Sequence, residues 1–444
     1  MQMRLSRSRT NGFLVGAFLL FVAASADAGT TWTELGLAAG PPISGLNSDV
    51  EALQVSGNTL YAGGAFTNIG GVQASHVAQW NGTNWAPLGS GVNGFVYALT
   101  TYNSNLVAAG TFSQAGGNVV NNIALWDGTN WSPLGSGFNN FVVALAVGNG
   151  RIYAAGAFLT GTNGTNYVAQ WDGTNWTPLG TDSALSSPTV QVLLFTNGTL
   201  YLGGAFSSIG GVATENIAQW NGSSWSPVGT GIGAAWVEAL AAGGGKLYAG
   251  GEFEGCVAQW DGTNWSALGT SLRYSPLFQS PPPYVAALAV EGGVLYAGGL
   301  FSTTPDSAET NAANYIAQWD GANWSKVGQG ISNVVYALAE TGNVLYEGGT
   351  SEENPSSSVG PVAMANLPVP LQILNDADFG FQNGAFGFDV LGPYGSNVVI
   401  QSSPDLQNWT PLQTNQLGPG PLYFSDPQST TKAQSFYRLQ SVNP

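Results

Sequence analysis

Two carboxylates, Glu51 and Glu238, are the residues that could do chemistry. Each stands at the second position of Val-x-Ala-Leu, in two copies of one recurring segment. A pair of carboxyl groups is what general acid and base work on a glycosidic bond requires. The same placement suits the polar lining of a wet channel, and the rest of the chain offers little else for catalysis. It holds 1 histidine (His76), 1 cysteine (Cys256) and 9 lysines and arginines in total. A cysteine nucleophile works beside a histidine, and Cys256 has only His76 to draw on. As the sole cysteine it closes no intrachain disulfide and reads as a small buried hydrophobe.

The second set is aromatic. Just before each Val-x-Ala-Leu segment the copies carry Asp49, Phe95, Phe141, Thr189, Trp236, Tyr284 and Val334. The longest of the preceding connections contains Arg273, Tyr274, Phe278 and three consecutive prolines. Aromatic side chains gathered at one place form a platform for sugar rings or for protein hot spots, bringing large area with little rotamer entropy. They could equally plug a channel. The candidate ligand-binding residues are therefore Trp236, Tyr284, Phe95, Phe141, Asp49, Tyr274 and Phe278, with Glu51 and Glu238 as the catalytic alternative.

What must position these residues is a repeat. A unit of roughly 46 residues recurs seven times, in the form Val-x-Ala-Leu, Leu-Tyr-Ala-Gly-Gly-x-Phe, Val-Ala-Gln-Trp-Asp-Gly-Thr-Asn-Trp-Ser-Pro-Leu-Gly. One tryptophan column is Trp32, Trp85, Trp131, Trp176, Trp225, Trp265 and Trp324; its partner is Trp80, Trp126, Trp171, Trp220, Trp260 and Trp319. Of 15 tryptophans, only Trp236 and Trp409 fall outside the columns, which makes Trp236 the strongest single binding candidate. Each unit offers four short runs of Val, Leu, Tyr and Trp separated by Gly, Asn and Asp, which predicts strands joined by tight turns.

Four antiparallel strands per unit make one blade of a β-propeller. The first unit begins with a lone fourth strand at 31–36, and the last has strands at 335–338, 345–349 and 362–367 but no fourth. The expected fold is therefore all-β: a seven-bladed β-propeller over 29–367, closed by an N-terminal strand that pairs with the last unit and removes the open edges. These motifs resemble the kelch-like propeller superfamily. The wording Leu-Tyr-Ala-Gly-Gly-x-Phe with Trp-Asp-Gly-Thr-Asn-Trp is closer still to the ectodomain repeats of fungal cortical polarity markers and related bacterial secreted repeat proteins. The resemblance implies fold and leaves function open, because propellers host unrelated activities.

Residues 1–28 read as a signal peptide, with Arg4, Arg7 and Arg9, an apolar run over 13–24 and the small-residue motif Ala26-Asp27-Ala28. Secretion to the extracellular space or cell envelope follows, with no membrane span in the mature chain. After Leu367-Pro368-Val369-Pro370 the tryptophan columns stop, and 368–444 resembles a small immunoglobulin-like or fibronectin-type β-sandwich. It is a cap or spacer, or else an attachment module.

The formal net charge of −16 repels phosphate backbones, so nucleic acid is not an expected partner. A copper radical oxidase of the galactose-oxidase type needs two histidine ligands, and a sialidase needs three clustered arginines; the chain supplies neither set. Calcium cages of the form Asp-x-Asp-x-Asp-Gly do not occur, and no metal or cofactor is expected. The expectation is a non-catalytic binding protein for an extracellular protein or polysaccharide, with a carbohydrate-active enzyme as the alternative.

Overall fold

Alternating apolar residues broken by glycine every few positions cannot sustain a helix, and the computed structural model has none beyond one 3-10 turn, Ser429–Thr431, among its described residues. Those residues are 32–35, 49–158, 167–179, 189–233, 236–269, 272, 282–302, 314–319, 321, 323–328, 330–331, 334–342, 344–350, 362–367, 372–374, 379–382, 385–392, 397–417, 421–431 and 435–442. Two compact units divide the chain, one built mainly from 29–340 and 345–365, the other including 366–444.

Among its described residues the larger unit shows seven four-stranded antiparallel sheets in series, a repetition consistent with a β-propeller. The first sheet runs Val50–Ser56, Thr59–Gly64, Val77–Trp80, Trp85–Pro87 in spatial order. The others repeat it from first strands at Phe95–Tyr102, Val142–Gly148, Thr189–Thr196, Trp236–Gly243, Tyr284–Glu291 and Val335–Thr341. In the sheet that starts at Val335–Thr341, the fourth strand is Trp32–Glu34, antiparallel to Val362–Asn366 with Thr33 opposite Met364. In the first, second and fourth sheets the connection after the second strand also folds into a two-residue hairpin, such as Gln114–Ala115 with Asn118–Val119, which the repeat did not predict.

Two devices join each sheet to the next. At the outer edge, the indole N–H of Trp85 donates to Leu35 O at 2.7 Å, Trp131 to Leu88 O, Trp176 to Leu134 O, Trp225 to Leu179 O, Trp265 to Val228 O and Trp324 to Leu268 O. Trp32 donates to Val327 O at 3.0 Å. Every acceptor is the Leu or Val of Trp-x-x-Leu-Gly in the preceding unit. The glycine that follows it lies under the partner-column tryptophan of the next unit: a Cβ on Gly135 would crowd the Trp171 ring. Within a unit the two tryptophans are cross-strand neighbours, with Trp126 and Trp131 rings 5.4 Å apart. The Asp-Gly-Thr-Asn wording between them is a hairpin turn, Asp127 Oδ1 accepting from the Thr129 and Asn130 N–H groups.

The second device explains Ala-Gly-Gly. A Cβ on the first glycine would strike the valine that opens the next sheet: Gly63 meets Val96, Gly203 meets Val237, Gly298 meets Val335, and Gly348 meets Val50 of the first sheet. The second and third units carry Ala109 and Ala155 there. A Cβ on the second glycine would overlap a carbonyl oxygen of its own sheet, as Gly64 with Asp49 and Gly110 with Phe95. All seven units keep that glycine, because a side chain can yield where a paired backbone cannot. The apolar core accordingly lies between neighbouring sheets. Ala52 and Val77 of the first pack with Val96, Leu99 and Trp131 of the second, and Leu35, Ala339 and Val362 pack with Val50 and Leu60.

The C-terminal unit has two sheets around one core. Gln372–Ile373, Gly380–Gln382, Ala385–Leu391 and Leu422–Asp426 form one, and Thr410–Gln416, Asn397–Ser403 and Phe436–Val442 the other. Phe386, Phe388 and Val390 of the first sheet meet Val398, Ile400 and Tyr437 of the second. The Tyr437 hydroxyl donates to Asp426 Oδ2 at 2.9 Å, giving the buried phenol a partner. The strands at 372–373 and 380–382 were not expected from the sequence, being too short to show an alternating pattern.

Gly110→Ala is expected to destabilise by about 1–3 kcal/mol, the range for overpacking a close approach. Gly203→Ala should cost less, since two units already carry alanine at that position. Urea denaturation of both variants measures the difference; equal costs would show that the carbonyl contact is not the discriminating one.

Candidate functional site

In six of the sheets the first strand carries a β-bulge early in its run. Register shifts fall between Val50 and Ala52, Val96 and Ala98, Val142 and Ala144, Val190 and Val192, Val237 and Ala239, and Val285 and Ala287. The extra residue is the x of Val-x-Ala-Leu: Glu51, Tyr97, Val143, Gln191, Glu238 and Ala286, with Tyr336 at that position in the last unit. A bulge leaves its extra residue unpaired and re-aims its side chain. All seven are half-buried.

Tyr284 shows where they point. Burial pushes its phenol well above the ordinary range. Tyr336 adds to the shift by proximity and by a hydrogen bond, and the negative charges of Glu238 and Glu51 add further. Tyr284 and Tyr336 of the sixth and seventh sheets are therefore joined at the end where the first strands begin, within electrostatic reach of Glu51 and Glu238 of the first and fifth. Both carboxyls are pushed up to about 7: Glu51 by burial and then by Asp49, Glu238 by burial and then by Glu252. The group can offer phenol hydrogen-bond donors beside two carboxyls that titrate close to neutrality, which suits hydroxyl-rich or cationic ligands.

Around this centre the aromatic positions differ. Trp236 is 44% exposed and lies directly across the strand pair from exposed Glu252. Phe95 is 46% exposed, with the His76 ring edge-on at 5.8 Å and Tyr97 at 6.5 Å. His76 Nδ1 lies 3.3 Å from Gly64 O, and burial lowers its pKa despite that contact. Asp49, Phe141 and Tyr284 are half-buried, whereas Val334 is buried. Tyr274 and Phe278 lie outside the described residues, and of Thr189 only the backbone is described.

The structure does not bring Cys256 and His76 together as a nucleophilic pair. The Cys256 thiol points to the carbonyls of Leu272 and Pro283, and burial, with Glu252 second, pushes it up to about 12. It is an inert packing group.

Tyr336, Tyr97 and Glu252 belong to the site and were not among the candidate ligand-binding residues. The signal for the two tyrosines was present, since both fill the same Val-x-Ala-Leu column as Glu51 and Glu238. Glu252 carries no such mark: it follows Gly-Gly, where other units have Ala65, Thr111, Ala157, Ala205, Leu300 and Thr350.

No family model and no curated protein matches the chain. Among solved structures, the computationally designed Ika8 protein is similar at 16% identity and a TM-score of 0.43, covering 82% of this chain and 97% of its own. The computationally designed Ika4 protein is similar at 20% identity and a TM-score of 0.26, covering 40% of this chain and 93% of its own.

Because Glu51 and Glu238 hold protons in the folded state that the unfolded chain has released, folding takes up protons between the ordinary carboxyl value of 4.5 and about 7. Stability contributed by these groups is present at low pH and falls as pH rises through that window. Buried Glu347, raised to about 8, acts with the same sign. Melting temperature is expected to drop from pH 5 to pH 8, and Glu51→Gln with Glu238→Gln should flatten the drop. An unchanged slope in the double variant would show that neither carboxyl is displaced from its ordinary value.

Proposed function

We propose that this chain is a secreted, non-catalytic binding protein: a kelch-like, seven-bladed β-propeller over 29–367, exported by the signal segment 1–28, that holds an extracellular polysaccharide on the mouth where the first strands begin. One observation carries the binding reading: Trp236 and Phe95, at the strand starts of the fifth and second units, keep 44% and 46% exposure at the end that also holds a set of phenol and carboxyl groups. Large rings left in water cost solvation that a flat sugar face recovers. A protein surface is the other partner such a mouth accepts. The module at 368–444 serves as a cap or as an attachment to a surface.

The pairing of Trp32–Glu34 with Val362–Asn366 and the bond from Trp32 to Val327 O support closure of the ring by the N-terminal strand. Cysteines at the facing positions, Thr33→Cys with Met364→Cys, should form a disulfide under mild oxidation and raise the melting temperature, because the bond closes a very long loop. A reduced pair that stays unlinked would sink the closure.

For the mouth, Trp236→Ala with Phe95→Ala should weaken glycan-array binding by about tenfold or more while shifting stability little, since both side chains are exposed. Tyr284→Ala is a poorer probe, because its hydroxyl is hydrogen-bonded within the cluster and its loss also disturbs packing. Parallel loss of stability and binding would mark the rings as core.

A second reading, a carbohydrate-active enzyme, is favoured by one fact: Glu51 and Glu238 both act on Tyr284 and both titrate near 7, as a general acid must. Release of reducing sugar that Glu238→Gln abolishes would establish it in place of the binding reading.

A further inference from the structure

The seven units differ most in how the second strand returns to the third. In six of them that connection has 11 or 12 residues; in the fifth, between Lys246–Glu252 and Val257–Trp260, it has four, 253–256. In the first, second and fourth units the long connection folds into its extra hairpin and covers the outer tryptophan, as where Asn118 Nδ2 donates to Trp131 O at 2.7 Å. The short one turns back at once through Gly255, with Cys256 buried beneath it and Glu252 and Glu254 exposed. At the fifth unit the rim is therefore lower than at the first, second and fourth, and that gap adjoins Trp236, which faces Glu252 across the strand pair.

Among the described residues, charge at this place has one sign. Glu252 raises the Glu238 carboxyl from one side, Asp49 raises Glu51 from another, and both carboxyls act on Tyr284. The described basic residues of the larger unit lie elsewhere. Arg151 and Lys246 each open a second strand, opposite Gly148 and Gly243 at the far end of the sheets, and Lys326 ends an outer strand. Arg273 lies outside the described residues. An exposed indole next to a carboxylate is a setting in which an organic ammonium gains both ring-face attraction and a charge-assisted hydrogen bond.

We propose that the aromatic mouth and the gap beside the fifth unit bind a linear oligosaccharide of unacetylated amino sugars, one pyranose face lying on Trp236 and ammonium groups meeting Glu252 and Glu254. The inference rests on the polysaccharide reading above and gives it a ligand class. A linear chain fits because the low rim lets it leave the mouth sideways, where a neutral sugar would leave the carboxylates without a partner. Stacking area selects a sugar over a lysine side chain, which offers an ammonium and no ring.

The test is calorimetric titration of the full mature chain at pH 6 with four probes: the β-1,4 glucosamine hexamer, its fully N-acetylated counterpart, cellohexaose and hexalysine. The glucosamine hexamer should bind at least about tenfold more tightly than the other three, a margin of one charge-assisted contact. Trp236→Ala should weaken it about tenfold or more. Glu252→Gln with Glu254→Gln should erase its advantage over cellohexaose while leaving the melting temperature unchanged. If cellohexaose or the acetylated hexamer binds equally well through Trp236, the ammonium inference falls and the polysaccharide reading stands. Hexalysine binding as tightly as the glucosamine hexamer would overturn the amino-sugar assignment in favour of a peptide. If none of the three oligosaccharides binds, the inference and the polysaccharide reading fall together.

Discussion

The bond on which the larger unit depends runs from the indole N–H of one outer tryptophan to the carbonyl three residues past the corresponding tryptophan of the preceding unit. Each such bond contributes only about 1 kcal/mol net, but an indole N–H or a carbonyl left unpaired among packed side chains costs more than the bond supplies. Satisfaction is therefore shared: no sheet completes its own outer edge without its neighbour. At the other edge the glycine that clears the next sheet's valine sets how closely the sheets approach. Together they leave each four-stranded sheet with little packing of its own, so stability resides in the interfaces, as in other repeat architectures.

This division of labour frees the strand starts. Once the fold is fixed by Trp, Leu-Gly and Gly-Gly, the bulge residue and the residue before the strand are bound only to be tolerated. In six of the sheets the bulge re-aims one side chain, and the coupling of Tyr284 to Glu51, Glu238 and Tyr336, which share the Val-x-Ala-Leu column, follows from how the sheets pack. Burying several acidic groups close together carries a penalty, seen in carboxyls that titrate near 7. A fold free of other demands there would have little reason to keep it, since a solvated rim would leave the same groups in water.

Legibility followed periodicity. The two tryptophan columns and the four runs per unit could be read because seven copies repeat the same physical requirement, and the Asp-Gly-Thr-Asn turns could be read because the Asx bond is local. The extra hairpins, such as Gln114–Ala115 with Asn118–Val119, escaped because strands of two residues have no period. Trp236 stood out as the tryptophan of the repeat region that its columns do not explain, and it is exposed. Tyr284, another of the candidate ligand-binding residues, is instead tied to Tyr336.

By itself the sequence determined the four strands of each unit and the Asp-Gly turns between the last two; which glycines cannot carry a side chain came from the packing. The strands and turns are consequences of local backbone chemistry repeated at a fixed interval. Whether the strand-start residues would meet, which of them would stay in water and how far each carboxyl would move from its ordinary value were decided only by the tertiary structure. Those properties arise between residues hundreds of positions apart, such as Glu51 and Tyr284, and depend on distance and burial that no local pattern encodes.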